Sequence, residues 1–205
     1  MSAVQLFGDS RSGNCYKVAL LLRLTQTPFD WVETDVMQGR TRTKNFLALN
    51  PNGRVPLLLW PDGRTLAESN AMLLHLSRGS PYFPEDPWLQ AQAWQWLLFE
   101  QYSHEPYIAV ARFVVLFARR EAEEAERLAG LREKGYQALA VMENILRDSE
   151  FFVGEQFSVT DIALYAYTHV AEEGGFDLKR YPEVRDWLAR VQAQPGFLPM
   201  DRACN

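Results

Sequence analysis

The hydrophobic pattern of this sequence changes once, at a proline-rich stretch that spans residues 79–87. Before it, short strand-like runs alternate with helical ones, which is the pattern of an α/β unit. After it, apolar residues recur at helical spacing. The stretch itself holds three prolines and one glycine in nine residues, as a linker does. The sequence therefore predicts an α/β domain over residues 1–78, a linker over 79–87 and an all-helical domain over 88–205.

The first domain has a definite order of strands and helices. Strand-like runs occupy residues 3–7, 29–33, 56–60 and 65–66, and helical runs occupy residues 13–25, 43–49 and 69–77. The turn tetrapeptide Pro61-Asp62-Gly63-Arg64 predicts an antiparallel hairpin between the last two strands. The longer connection before residue 56 is expected to return the chain in parallel. The order β-α-β-α-β-β-α is that of a thioredoxin-like domain.

The second domain consists of helical stretches. Residues 88–118 predict one long helix that Pro106 should kink, because proline removes a backbone donor. Residues 121–147 predict another long helix, and a last helix is expected to begin at Pro182. Between them, residues 158–161 form a predicted capping box, which is a folding element rather than a site.

Charge and composition favour small molecules or further copies of the chain as partners. The formal net charge is −5 and the basic residues are scattered, so the basic patch of a nucleic-acid-binding protein is missing. The longest apolar stretch, residues 113–118, is far shorter than the ~20 residues that span a membrane. A strand-like run begins within three residues of Met1, which leaves no space for a secretory leader. Cys15 and Cys204 lie at opposite ends, which favours reduced thiols in a cytoplasmic protein.

The first candidate site is the turn over residues 10–18, which joins the first strand to the first helix. A helix N-terminus offers unpaired N–H groups and a positive dipole end, so a thiolate placed there can be stabilised. The hydroxyl of Ser12 lies at the start of this helix. It could serve such an anion, or it could only cap the helix, and the local sequence leaves both interpretations open.

Two further segments carry candidate ligand-binding residues. In residues 50–56, an X-Pro bond before Pro56 can be cis, which would turn the Val55 backbone toward a ligand. An extended peptide could then pair with Val55 as an added strand. Glu68 and Ser69 open the third helix, where Ser69 suits a ligand carboxylate and Glu68 a ligand ammonium. Taken singly, these motifs are more simply a loop-to-strand junction and a helix cap.

Together, the order and spacing of these segments resemble the glutathione transferase superfamily, especially its serine-dependent theta-, zeta- and nu-like bacterial members. Residues 12–18 are similar to the family's active-site turn, residues 50–56 to its cis-proline loop and residues 68–73 to its γ-glutamyl motif. Residues 158–161 match the capping box of its helical domain. The resemblance covers essentially the whole chain. It implies a thioredoxin-like domain that binds glutathione, followed by a helical bundle.

For the catalytic turn, the resemblance implies that Ser12 donates a hydrogen bond to the glutathione sulfur and favours the thiolate. Asn14 could support the same sulfur. Lowering a thiol pKa by two units needs only about 2.7 kcal/mol, which a hydroxyl and a helix end can supply. Omega-like and beta-like relatives use a cysteine where Ser12 stands. Cys15, three positions later, is therefore expected to be a buried packing residue.

For glutathione itself, the resemblance implies contacts at both ends of the tripeptide. The Val55-Pro56 segment is expected to pair with the cysteinyl backbone. Glu68 and Ser69 are expected to hold the γ-glutamyl end. A basic side chain, either Lys44 or Arg54, would meet the glycyl carboxylate.

The second substrate is expected to be a small hydrophobic electrophile. The architecture that the resemblance implies forms its pocket between Ser12 and the fourth and sixth helices. Tyr102, Tyr107, Arg112 and Tyr165 could reach this pocket, and packing in the core or at an interface is the alternative for each of them. An aromatic, largely apolar pocket suits such an electrophile without identifying it.

The resemblance implies an enzyme, a homodimeric glutathione transferase with glutathione as its co-substrate. Glutathione-dependent peroxide reduction, dehalogenation or isomerisation are alternative reactions. A different class of function is a glutathione transferase fold kept as a binding module without turnover. Ser12 together with Val55-Pro56 and Glu68-Ser69 favours the enzyme, because a scaffold needs no thiolate-stabilising hydroxyl. No metal site is predicted, because the three histidines are dispersed in the sequence.

Overall fold

A computed structural model describes residues 3–204. The chain forms two compact units, of which the second consists of residues 81–194. The first unit contains the residues up to 80 and, in addition, those from 195 onward. The segment from residue 195 onward, which the hydrophobic pattern predicts as part of the helical domain, packs with the α/β unit.

Two hydrogen bonds explain why the C-terminal segment belongs to the first unit. The Tyr16 hydroxyl donates to the Leu198 carbonyl at 2.8 Å. Arg23 Nε donates to the Ala203 carbonyl at 3.3 Å, near the end of a short helix over Met200–Ala203. Both partners lie more than 170 residues apart in the sequence, so no local pattern could indicate this return.

The strands of the first unit are β1 (Val4–Gly8), β2 (Phe29–Glu33), β3 (Leu57–Leu59) and β4 (Thr65–Ala67). Its larger helices are α1 (Gly13–Leu24), α2 (Lys44–Leu49) and α3 (Ser69–Leu76). A 3-10 turn over Arg40–Arg42 precedes α2. The predicted order β-α-β-α-β-β-α and the thioredoxin-like fold are confirmed.

The sheet has the order β2-β1-β3-β4, with β1 parallel to β2. β3 runs antiparallel to β1, so the predicted parallel return of the chain is wrong. A connection of this length allows β3 to run parallel or antiparallel to β1. Contacts between distant segments determine which of the two forms, and the local sequence does not show it. The hairpin of β3 and β4 is antiparallel, as the turn residues predict.

The core of the first unit is built around α1. All residues from Cys15 to Leu22 are buried, together with Leu6 of β1. Leu57 and Leu58 of β3 and Met72 and Leu73 of α3 complete this layer, each fully buried. Lys17 is the one charged residue within the buried run of α1, and it is also fully buried.

The helical unit contains α4 (Pro87–Phe99), α5 (Glu105–Arg112), α6 (Ala125–Leu146), α7 (Val159–Thr168) and α8 (Pro182–Gln192). Two π-helical segments, Glu100–His104 and Phe113–Phe117, follow α4 and α5. Short 3-10 helices occur at Ala171–Gly174 and Leu178–Arg180. None of the helices within residues 3–204 is both long and apolar enough to cross a membrane.

Pro106 interrupts the long helix that the sequence predicts over residues 88–118, and it does so through a change of helix type. The N–H of Glu105 bonds to the carbonyl of Glu100, five residues earlier, which is the π-helical pattern. Pro106 itself has no N–H, and it stands in the first turn of α5. The wider π turn thus accommodates a proline in an otherwise continuous helical path.

The predicted capping box at the start of α7 is confirmed, and it belongs to a larger buried network. Asp161 Oδ2 accepts hydrogen bonds from the N–H of Ser158 at 2.9 Å and from its hydroxyl at 3.1 Å. Asp161 Oδ1 accepts from the indole of Trp187 at 3.0 Å and from the N–H of Phe152 at 3.3 Å. One carboxylate therefore links α7 to α8 and to the segment that precedes α7.

Candidate functional site

Three segments of the first unit meet at one end of its sheet. In the strand register, Phe7 near the end of β1 pairs with Leu57 at the beginning of β3, and Leu57 pairs with Ala67 at the end of β4. The turn before α1, the loop before β3 and the start of α3 follow or precede these residues directly. The three segments meet because β3 is antiparallel to β1. A β3 parallel to β1 would begin at the opposite end of the sheet, and the loop before it would lie there.

The turn before α1 presents the Ser12 side chain at the helix N-terminus. Ser12 is the N-cap residue, and its Oγ accepts a hydrogen bond from the N–H of Cys15 at 3.4 Å. Its own N–H donates to the Asp9 carbonyl at 2.9 Å, which closes the turn. Ser12 and Asn14 are partly exposed, whereas Gly13 is buried. The capping interpretation of Ser12 is therefore confirmed, and a capping hydroxyl still has its proton to donate.

Two ion pairs, which join Arg11 to Asp9 and to Asp35, stabilise this turn. The carboxylate of Asp9, which is 4% exposed, accepts hydrogen bonds from Arg11 Nε at 2.8 Å and from the N–H of Val36 at 3.0 Å. Arg11 also bonds to Asp35 at 2.8 Å. Burial acts to raise the pKa of Asp9, but the hydrogen bonds from Arg11 and the backbone outweigh it and leave that pKa lowered. The bonds to Val36 and Asp35 connect the turn to the segment that follows β2.

Cys15 is a packing residue, as predicted. It is fully buried in the first turn of α1. Burial raises the pKa of its thiol to about 12, against the opposing effect of hydrogen bonds with Ser12 and the Asp9 backbone. A thiol with this pKa holds almost no thiolate at neutral pH and is a poor nucleophile.

The loop before β3 contains a cis peptide bond between Val55 and Pro56. Asn50 shapes this loop, since its Nδ2 donates to the Arg54 carbonyl at 2.8 Å and its Oδ1 accepts from the N–H of Asn52 at 3.1 Å. Across the described part of the chain, the N–H and carbonyl of Val55 have no hydrogen-bond partner. Its half-exposed backbone is therefore open to pairing with an extended ligand.

The start of α3 combines an unusual backbone with a buried hydroxyl. Glu68 has φ 68° and ψ 110°, a conformation that a residue with a Cβ rarely adopts and that tends to occur at functional sites. Its side chain is exposed. Ser69, 5% exposed, donates through Oγ to Asn14 Oδ1 at 3.2 Å. Two candidate residues that are 55 positions apart in the sequence are thus in direct contact.

Lys44 and Arg54, the candidates for the glycyl carboxylate, are both exposed. Neither forms an ion pair with any of the residues that the structure describes. Lys44 is the first residue of α2, and Arg54 lies in the loop that Asn50 shapes. The geometry leaves both available, and the choice between them stays a prediction.

Sequence reasoning missed one pair of residues at this site. Lys17 Nζ donates to Asn70 Oδ1 at 2.9 Å, which adds a second link between α1 and α3 beside the one from Ser69 to Asn14. A signal was present, because Lys17 is the only charge in the apolar run from Cys15 to Leu22. A charged residue in such a run indicates either a partner or a function.

The four candidates for the second-substrate pocket have different environments within the helical unit. Tyr102 is 82% exposed on the first π segment. Tyr107 lies under Lys134 Nζ, 5.4 Å from the ring centre. Arg112, 6% exposed, forms an ion pair with Glu173.

Tyr165, the fourth candidate, is 2% exposed and accepts a hydrogen bond from Gln192 at 3.0 Å. Its ring stacks on His169 with 4.6 Å between ring centres. Burial raises the pKa of Tyr165 and lowers that of His169, so both rings favour their neutral forms. These contacts agree with the packing alternative for Tyr165, and a role for the four residues toward a second substrate remains a prediction.

The class of protein follows from this fold and from comparison with known families. The model of the glutathione S-transferase N-terminal domain matches residues 11–78, and that of the C-terminal domain matches residues 104–195. The chain belongs to the glutathione transferase superfamily.

Individual relatives agree with this assignment. A solved glutathione S-transferase from Pseudomonas fluorescens Pf-5 is 52% identical, with 97% of this chain and 99% of that chain covered and a TM-score of 0.95. The structure of Ure2p in complex with glutathione is 26% identical over 95% of this chain and 96% of its own, with a TM-score of 0.85. Among curated proteins, Protein URE2 of Candida albicans is 29% identical over 93% of this chain and 67% of that protein.

Proposed function

We propose that this protein is a glutathione transferase, which activates the thiol of glutathione for attack on a small hydrophobic electrophile. The observation that carries the proposal is the meeting of the Ser12 turn, the Val55-Pro56 loop and the Glu68-Ser69 pair at one end of the sheet. The relative solved in complex with glutathione supports the choice of co-substrate. Incubation with glutathione and a generic aromatic electrophile tests it, and absence of any conjugate above the uncatalysed rate would contradict it.

The chemistry begins with the Ser12 hydroxyl, which has one proton to donate and two lone pairs to accept. A lone pair already accepts from the N–H of Cys15, and the proton remains able to reach an incoming sulfur. Donation to the sulfur favours the thiolate over the thiol, and the positive end of α1 acts in the same direction. Capping and thiolate stabilisation are therefore compatible roles for one hydroxyl. Asn14, in the first turn of the same helix, is the second candidate for this contact.

The rest of the tripeptide fits the remaining polar groups. The open backbone of Val55, which a cis bond joins to Pro56, would pair with the cysteinyl residue of glutathione. The Ser69 hydroxyl, whose one proton is donated to Asn14 Oδ1 in the free protein, would turn to donate it to the γ-glutamyl carboxylate at the N-terminus of α3. Glu68 would be available for the ammonium group. Lys44 or Arg54 would meet the glycyl carboxylate.

Replacement of Ser69 by alanine should weaken glutathione binding about tenfold or more, since a hydrogen bond to a charged group contributes roughly 1.5–3 kcal/mol. The variant also removes the donor to Asn14 Oδ1. Calorimetric titration with S-methylglutathione measures the affinity without a reactive thiol. Ser10→Ala is the matched control, because Ser10 is exposed and lies in the neighbouring turn. Equal affinities for both variants would mean that the γ-glutamyl group binds elsewhere.

The same proposal includes a homodimer, in which α4 of one copy meets the α3 face of its neighbour. An exposed apolar stripe on α4 supports it: Trp94 is 53% exposed and Leu98 67%. Both border an open groove that also contains Pro87 and Ala91. These residues recur at spacings of three and four and so share one helix face. Exposed stripes of this kind on soluble proteins commonly mark interfaces.

Sedimentation velocity at micromolar concentration should therefore show a dimer, and Leu98→Glu should shift it toward monomer. The physical reason is that a charge placed in an apolar interface must be desolvated. Ile145→Glu is the control, since Ile145 is 42% exposed on α6 of the same unit. A wild-type protein that sediments only as a monomer would contradict the proposed dimer.

A reducing compartment such as the cytoplasm fits the proposed activity. Cys15 and Cys204 are both buried and free of disulfide bonds. Burial raises the pKa of the Cys204 thiol to about 12, as it does for Cys15, so neither competes with glutathione as the nucleophile.

A further inference from the structure

We propose that Asp9 is a positioning residue, whose buried carboxylate holds the turn before α1 in the shape that keeps the Ser12 hydroxyl in place for the glutathione sulfur. The inference rests on the proposed function. It goes beyond it by assigning a role to a residue that would act through the turn rather than on a substrate. The observations that carry it are the hydrogen bonds of the Asp9 carboxylate and its burial directly after β1.

The Asp9 carboxylate is saturated with hydrogen bonds. Oδ1 accepts from the N–H of Arg11 at 3.1 Å and from Arg11 Nε at 2.8 Å. Oδ2 accepts from Arg11 Nη2 at 2.7 Å and from the N–H of Val36 at 3.0 Å. A carboxylate offers about four acceptor sites, so these bonds use its full capacity. Asp9 is 4% exposed, so water does not readily replace a donor that is lost.

These bonds fix the backbone immediately before Ser12. The N–H of Arg11 bonds to the Asp9 side chain, and the N–H of Ser12 bonds to the Asp9 carbonyl at 2.9 Å. Asp9 thus accepts from two successive N–H groups, one through its side chain and one through its main chain, which is how an aspartate stabilises a tight turn. The bond from Val36 joins the same carboxylate to the segment after β2. A change at Asp9 should therefore displace the backbone that carries the Ser12 hydroxyl.

The position of the Ser12 hydroxyl depends on this backbone, because little else holds it. Its own bond from the N–H of Cys15 is long, at 3.4 Å. A hydroxyl donates well only over a narrow range of distance and angle. A displacement of about 1 Å in an active site can cost about 100-fold in rate. The turn must therefore be rigid if Ser12 is to stabilise a thiolate.

The charge and the position of Asp9 predict opposite effects on the bound thiol. Loss of a nearby negative charge should by itself lower the thiol pKa. A loosened turn should weaken the bond from Ser12 and so raise that pKa. The other charges around the turn are Arg11 and Asp35, whose side chains bond to each other at 2.8 Å, and Glu33, which accepts from the backbone of the turn at 3.3 Å. The direction of the pKa change therefore distinguishes positioning from a direct effect of charge.

Asp9→Asn tests the inference, because it keeps the size of the side chain but replaces one acceptor oxygen with an NH2 group that faces N–H donors. It should slow conjugation about tenfold and raise the pKa of the bound glutathione thiol by about one unit, since the hydroxyl is displaced rather than deleted. Affinity for S-methylglutathione should change little. The conjugation rate, the ultraviolet absorbance of the thiolate against pH and calorimetric titration measure the three quantities.

Asp62→Asn is the matched control. Asp62 accepts from the N–H of Arg64 at 3.1 Å and from Arg64 Nε at 2.7 Å, which is the pattern that joins Asp9 to Arg11. It is exposed, and it lies in the β3–β4 turn at the opposite end of the sheet. Asp62→Asn should change neither the conjugation rate nor the thiol pKa.

Combination with Ser12→Ala separates positioning from a merely structural role. If Asp9 acts through the hydroxyl, Asp9→Asn should neither slow conjugation nor raise the thiol pKa any further in the Ser12→Ala background. Equal effects with and without the hydroxyl would overturn the role of Asp9. So would a folded Asp9→Asn variant with the wild-type rate and thiol pKa, and both results leave the proposed function intact.

Arg11→Gln keeps the inference testable if Asp9→Asn does not fold, since the Arg11 side chain is 40% exposed. It removes the guanidinium bonds to Asp9 and should also slow conjugation, with most of this effect lost in the Ser12→Ala background. An equal effect in both backgrounds would overturn the role of Asp9. A wild-type protein that neither conjugates glutathione nor binds S-methylglutathione would overturn the proposed function and the role of Asp9 with it.

Discussion

Ser12→Ala should slow conjugation about 100-fold at neutral pH and raise the pKa of the bound glutathione thiol by about two units. Removing a single donor to a developing or bound anion typically costs this much in rate, and two pKa units correspond to about 2.7 kcal/mol. Affinity for S-methylglutathione should stay close to that of the wild type, because the ligand has no thiolate to stabilise. Ultraviolet thiolate absorbance against pH, together with the conjugation rate, measures both effects.

Two control variants separate this role from capping. Thr43 caps α2 by accepting from the N–H of Phe46 at 3.3 Å, much as Ser12 caps α1. Thr43→Ala and Ser12→Ala should each cost about 1 kcal/mol of stability, but only Ser12→Ala should change the ionisation of the thiol. If Asn14→Ala shifts the thiol pKa and Ser12→Ala does not, Asn14 takes the catalytic role. If neither shifts it, the binding module without turnover becomes the better interpretation.

Asp161→Ala should lower the free energy of unfolding by about 3–4 kcal/mol at pH 7, because four donors to the carboxylate lose their acceptor. The loss includes the capping box of α7 and the link to Trp187. Asp86→Ala is the matched control. Asp86 also caps a helix, accepting from the N–H groups of Trp88 and Leu89, but it is exposed. Its loss should cost only about 1 kcal/mol in denaturant unfolding.

The contribution of Asp161 should also depend on pH. Burial raises the pKa of its carboxyl to about 6, despite opposing hydrogen bonds from Trp187 and Ser158. In the unfolded chain the pKa is about 3.9, so the folded state binds more protons between these two values. The stability that proton binding to Asp161 adds to the folded state is fully present below about pH 4 and is lost as the pH rises through 6. The difference in unfolding free energy between wild type and Asp161→Ala should therefore widen by about 2 kcal/mol on acidification from pH 7 to pH 4. If this difference in unfolding free energy narrows on acidification, the Asp161 carboxylate is ionised over the whole of this pH range and the prediction is wrong.

Much of the architecture could be predicted from the sequence because the signals are local. Ser12 caps α1, Pro61-Asp62-Gly63-Arg64 forms the hairpin turn, and residues 158–161 form the capping box, as predicted. Each of these depends on residues within a few positions of one another, whose hydrogen-bonding and backbone preferences act over that distance. Periodicity likewise separated the α/β part from the helical part.

The structure alone decided the features that join distant segments. The antiparallel direction of β3 brings Pro56 to the same end of the sheet as Ser12 and Glu68. Lys17 meets Asn70 across 53 residues, and the C-terminal segment returns to α1. These pairings depend on how whole strands and helices pack against one another. The free energy of that packing is the sum of many weak contacts between distant residues, so no short stretch of sequence predicts it. Sequence by itself therefore determined the parts and most of the candidate residues, and tertiary packing determined that they meet.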